Sequence, residues 1–106
     1  MAAAGDVFFN AAVAGTKVAV SSARIGVGTI HLLNTTAAVA YLQVFDLPSG
    51  SVTVGTTAAK FVLGVPASAA ISVPLDVTLA GGCTLAGTTT AAGSTGAALA
   101  VTMTIR

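Results

Sequence analysis

A chain of 106 residues makes one domain, and this one carries only seven charged side chains, 7% of its residues, where an ordinary globular chain carries about 25%. With no Glu, no Trp, one His, one Cys and a formal net charge of +1, it has little with which to run acid–base or nucleophilic chemistry. Lys17, Arg24, Lys60 and Arg106 are scattered, which excludes the basic stripe of a nucleic-acid binder and the polybasic helix of a membrane-surface protein.

The first stretch, 1–14, is apolar and rich in Ala, the best helix former, so helix competes with extended chain there. We read 1–15 as an N-terminal arm ahead of a single domain over 16–106. Phe8 and Phe9 are costly to leave in water and are expected to dock on that domain or on a neighbour; a frayed terminus is the alternative. The stretch has no basic n-region and contains Asp6, which does not fit a secretory signal.

Beyond the arm the chain is built from strand formers. It holds 14 Val, 15 Thr and 4 Ile, whose branched side chains suit a pleated surface, and turn signals recur at short intervals. A weak strand is expected over 16–22, followed by turn punctuation at Gly26 to Gly28. A strand over 28–34 is expected to pair with 38–46 through a short turn at Asn34 to Ala37. The segment 38–46 is apolar on both sides, with Val39, Tyr41, Gln43 and Phe45 on one face and Ala40, Leu42 and Val44 on the other. It is therefore expected to be central, or to turn its second face to a partner subunit. A weak strand at 51–57 comes next, then 60–65 with Phe61, Leu63 and Val65 on one face. In 70–75, Ile71, Val73 and Leu75 share a face, and Pro74 lacks a backbone donor, which puts this strand at an edge or near its end. The Thr-rich segment 83–91 reads as extended, and helix over 91–100 is opposed by Gly93 and Gly96. The clearest strand is the last, 97–105, where Leu99, Val101, Met103 and Ile105 alternate with Ala and Thr. The sum is an all-β chain, an antiparallel β-sandwich of about seven or eight strands with jelly-roll or immunoglobulin-like topology.

The mean hydropathy of +0.96 raises the question of a membrane. Polar or Gly residues cut the apolar runs every few positions, well short of the roughly 20 residues of a spanning helix. A membrane barrel would also be expected to carry aromatic girdles, and the chain has four Phe and one Tyr. Catalysis would have to use His31, for which no acid is placed to orient the imidazole; a partly buried, hydrogen-bonded structural role is expected. Cys83 has no cationic neighbour in sequence to lower its pKa and reads as a small core residue; a single Cys excludes an intrachain disulfide. One His, one Cys and three dispersed Asp make neither a zinc nor a calcium site. Gly26-Val27-Gly28 lacks the rest of a dinucleotide fingerprint, and Asn34-Thr35-Thr36 reads as a turn although it fits the glycosylation pattern. No cofactor, metal or catalytic residue is expected, and the chain is not expected to be an enzyme.

The order Tyr41-Leu42-Gln43-Val44-Phe45-Asp46, Val52-Thr53-Val54-Gly55-Thr56-Thr57, Lys60 to Ala67, Val73-Pro74-Leu75, a Gly-rich turn, a Thr-rich stretch and a final alternating strand resembles small β-rich virion proteins of tailed bacteriophages. The match covers roughly residues 28–106. The resemblance implies a head decoration or cement protein at the capsid surface. Its partners would be other copies of itself, most simply as a trimer, and the major capsid protein, with no nucleic acid and no membrane. It brings no catalytic residues. Candidate subunit or capsid contacts are Phe8 and Phe9 on the arm and Tyr41 and Phe45 on the doubly apolar strand. The alternative is a tail-associated or adhesin-like module that binds a surface glycan, for which Tyr41 without any Trp is a thin aromatic platform.

Overall fold

A computed structural model describes residues 6–106. The β-branched segments form eight strands: β1 (Val7–Val13), β2 (Val18–Ser21), β3 (Ile25–Asn34), β4 (Ala40–Phe45), β5 (Phe61–Val65), β6 (Ala69–Leu79), β7 (Cys83–Thr88) and β8 (Leu99–Ile105). They make two four-stranded antiparallel sheets that pack on each other, sheet A in the order β1-β8-β3-β6 and sheet B in the order β2-β7-β4-β5. The fold is all-β, a sandwich of eight strands. Among the described residues there is no α-helix, so the helix readings of 6–14 and 91–100 do not hold.

The pairings follow one rule. β1 pairs with β8, β2 with β7, β3 with β6 and β4 with β5, so the chain is one long antiparallel ribbon bent at 46–60. Rolling that ribbon brings β3 against β8 and β4 against β7. The result is the jelly roll of the two expected topologies, because consecutive strands, β4 and β5 excepted, lie in opposite sheets.

Period-2 alternation decides which side chains fill the gap between the sheets. Sheet A sends in Leu99, Val101, Met103 and Ile105 from β8 and Ile25, Val27, Ile30 and Leu32 from β3. Sheet B sends in Ala40, Leu42, Val44, Cys83 and Leu85. All are at most 4% exposed, and each fully buried Leu, Ile, Val or Met contributes about 1.5–3 kcal/mol. In β3 the inward positions switch from odd to even numbers because the register slips between Val27 and Thr29. At the slip the Thr104 hydroxyl accepts the Thr29 N–H at 2.7 Å. A Cβ on Gly28 would lie 2.7 Å from that same oxygen.

The structure corrects five sequence expectations. Residues 7–13, expected as an arm docked on the domain or on a neighbour, are edge strand β1 of the domain itself, zipped to β8 from Val7↔Thr104 to Val13↔Leu99; residues 1–5 of the expected arm lie outside the described residues. Gly26 and Gly28 sit inside β3 at a bulge rather than in a turn, as glycine in a strand interior often does. β3 and β4 do not pair: the turn after Asn34 carries the chain from sheet A to sheet B. The Asn34 amide fixes that crossover by donating to Ala38, Val65 and Pro66 carbonyls at 2.9–3.2 Å, while its Oδ1 accepts the Thr36 N–H at 2.9 Å. Residues 51–57 are not a strand; a 3₁₀ turn at Ser49–Ser51 and turns closed on the Thr53 carbonyl occupy that region. β6 runs on to Leu79, well past Pro74. Its edge position is as the missing donor requires, and so is the central position of β4.

Candidate functional site

The two outer faces of the sandwich differ. On sheet B, the protein's own connections cover the outside. Phe45 and Ala86, both fully buried, pack under Val52, with Leu47, Val54 and Ala59 around them. Thr84 donates its hydroxyl to the Leu47 carbonyl at 2.9 Å. Gln43, 1% exposed, donates its amide to the Thr88 hydroxyl at 2.9 Å and the Gly93 carbonyl at 3.0 Å. All six positions of β7 are therefore buried, on both sides of the strand.

Among the described residues, nothing of this kind covers sheet A. Alternation points Val7 and Phe9 of β1, Ala100 and Thr102 of β8, His31 and Leu33 of β3, and Ala70 and Ser72 of β6 away from the core. The pairing register aligns them in rows across the sheet. Phe9 lies opposite Thr102, Thr102 opposite His31 and His31 opposite Ser72. Beside that row, Ala100 lies opposite Leu33 and Leu33 opposite Ala70. Val7 is 61%, Phe9 62% and Leu33 45% exposed. A shallow groove of about 340 Å³ lies on this face, lined by Phe9, Thr102, Ala100, His31, Leu33 and Ser72 among others.

Charge is nearly absent from this face. Asp76 and Arg106 lie at one end and pair with each other at 2.8 Å, with Arg106 also donating to the Thr78 hydroxyl at 2.8 Å. His31 is exposed rather than partly buried, and its Nδ1 lies 2.7 Å from the Ser72 hydroxyl. Its cross-strand neighbours are Ser72 and Thr102, neither able to orient an imidazolium as a carboxylate does. A Ser–His contact on a flat sheet, with no acid behind the base, is a hydrogen bond and not an assembled nucleophile.

Of the four predicted contact residues, only Phe9 lies on this face. Phe8 turns inward and packs on the core. Tyr41 is half-buried on sheet B, its ring beside Gly64. Phe45 is fully buried under the chain's own 47–59 connection and offers nothing to a partner. Val7 and Leu33 escaped sequence reasoning. The alternation of β1 and β3 carried the signal, but not the knowledge that both strands belong to one sheet.

A second groove, about 500 Å³, opens on sheet B between residues 55–59 and Ala91–Ala92, over Gln43 and Val62. It is lined by Ala, Thr and Gly with no aromatic side chain. Cys83 is buried in the core, and its thiol is pushed up to about 12 by burial first and by the Asp46 carboxylate second; it is a packing residue. Among the described residues no three His, Cys, Asp or Glu side chains come together to hold a metal. Comparison with protein-family models, with curated proteins and with solved structures finds no match for the chain.

Proposed function

We propose that this protein is a non-catalytic structural component of a bacteriophage virion, a self-associating cement module that decorates the capsid across neighbouring subunits of the major capsid protein. The observation that carries the reading is the bare, almost uncharged outer face of sheet A, with Val7, Phe9 and Leu33 exposed on it. An adhesive face of this kind suits a protein that works by burial against another surface rather than by chemistry. The order of the strand and turn segments over 28–106, which resembles phage virion proteins, supplies the partner. The jelly roll is an architecture that viral capsid and lectin domains share, so it is compatible with this role without selecting it.

A cement module acts by linkage. Whatever binds the assembled shell and not its free subunits stabilises the shell, by about 2.7 kcal/mol per site when present at a hundred times its Kd. A glycan-binding role finds less support, because the larger groove has no aromatic platform. The test is co-sedimentation of the purified chain with undecorated heads of the phage that encodes it. Saturable binding at a fixed ratio to capsid subunits is expected, with heads that survive a higher temperature. Heads that sediment without the chain overturn the proposal, and glycan-array binding in their place would establish the rival role.

A further inference from the structure

We propose that the outer face of sheet A pairs with the same face of a second copy, about a two-fold axis running along the strands between β8 and β3. The inference rests on the self-association part of the proposed function and adds the surface and the symmetry. From β1 to β6 the central row reads Phe9, Thr102, His31, Ser72. The two-fold reverses that order, so Phe9 of one copy lies over Ser72 of the other and Thr102 lies over His31. In the adjacent row, Leu33 lies over the second copy's Ala100. In these two rows each bulky side chain meets a smaller one, which is what lets facing sheets interdigitate at about 10 Å. The groove of about 340 Å³, which Ser72 helps to line, gives the incoming Phe9 its room. His31 uses Nδ1 on Ser72, which leaves Nε2 for the opposing Thr102 hydroxyl.

Charge and area agree with this occupant. The Asp76 and Arg106 charges at the end of the face pair with each other within one copy, which leaves its central rows uncharged. Four strands about 4.8 Å apart and seven to eleven residues long, at about 3.3 Å each, make a face of roughly 550 Å² in projection. Two such faces give on the order of 1,100 Å², the size of a weak, reversible interface. Sheet B is less suited to this pairing, since its own connections cover Phe45 and Ala86; its outer side, with Val62 exposed beside the larger groove, stays free for the capsid contact. An isologous contact closes at two copies, so the expected mass is twice 10.1 kDa rather than the trimer that the resemblance implies.

Sedimentation equilibrium from about 5 to 200 µM, with circular dichroism to confirm folding, tests the pairing. The wild type is expected to be a reversible dimer. Thr102→Arg, which sets a charge at the centre of the face, and Ser72→Phe, which sets Phe against Phe, should each weaken it at least tenfold. Phe9→Ser combined with Ser72→Phe exchanges the large and small positions and should restore association to within a few-fold of wild type. Val62→Arg, on the outside of sheet B, should leave it unchanged. A wild type that stays monomeric overturns both the pairing and the self-association reading. An oligomer insensitive to folded Thr102→Arg and Ser72→Phe variants overturns the pairing alone.

Discussion

Asn34 shows how much one polar side chain holds in a chain this poor in charge. It is fully buried, and its amide nitrogen lies 2.9–3.2 Å from three carbonyls where β3 crosses to sheet B. An Asn34→Ala change leaves buried carbonyls without a donor, at about 1–3 kcal/mol for such a site. We expect Tm to fall by roughly 5–15 °C in a thermal melt. Asn34→Asp should be nearly as damaging, because a carboxylate cannot donate. A melt unchanged in both variants would show that the crossover does not depend on this residue. Cys83 makes a second residue-scale prediction. Its thiol is pushed up to about 12, chiefly by burial, while in the unfolded chain it titrates near 8.5. Between those values the unfolded state has lost a proton that the folded state keeps. Stability from this group is thus fully present below about pH 8.5 and is lost as pH rises toward 12. A Cys83→Ala variant should show a shallower fall in Tm over that window, and the folded wild-type thiol should resist alkylation at pH 8. Rapid alkylation of the native protein would contradict the burial.

At the scale of elements, β1 is the strand most changed from its sequence reading. It brings the fully buried Val13 and the inward-facing Phe8 to the core and covers the outer edge of β8. A chain starting at Gly15 should therefore lose about 3–6 kcal/mol of burial, a large part of a domain's usual 5–15 kcal/mol. Its melting transition is expected to broaden or vanish, with exposed β8 prone to aggregation. A chain over 15–106 that melts like the full one would return β1 to the status of a dispensable arm. The sequence made β8, β4 and the edge position of β6 legible, because alternation, doubly apolar faces and Pro74 are local signals. It did not reveal β1, whose Ala-rich composition is as compatible with helix as with strand. Nor did it show which strands pair. The connection after Asn34 is equally able to form a hairpin or to cross between sheets, and the choice is made by carbonyls of Val65 and Pro66 that lie 31 and 32 residues away. Phe45 was misjudged for a related reason. Its strand has two apolar faces, and the cover for the outer one comes from Val52 and its neighbours, in a segment that read as another strand.

For the whole molecule, the asymmetry of the sandwich matters most. One sheet is largely covered by its own loops, and among the described residues the other presents Val7, Phe9 and Leu33 to solvent, with Asp76 and Arg106 paired at one end. Ordinary solubility is kept by a well-charged surface. A chain with 7% charged residues and an uncovered apolar sheet face is expected to meet its own kind before it meets anything else. Self-association, capsid decoration and the face-to-face pairing are nested in that order, and the first can be read without any partner. The most direct measurement is the native mass of the wild-type protein by size exclusion with light scattering, at about 1 µM and again near 100 µM. The mass is expected to rise from 10.1 kDa toward twice that value as concentration increases. A mass fixed at that of one chain across the range would contradict self-association.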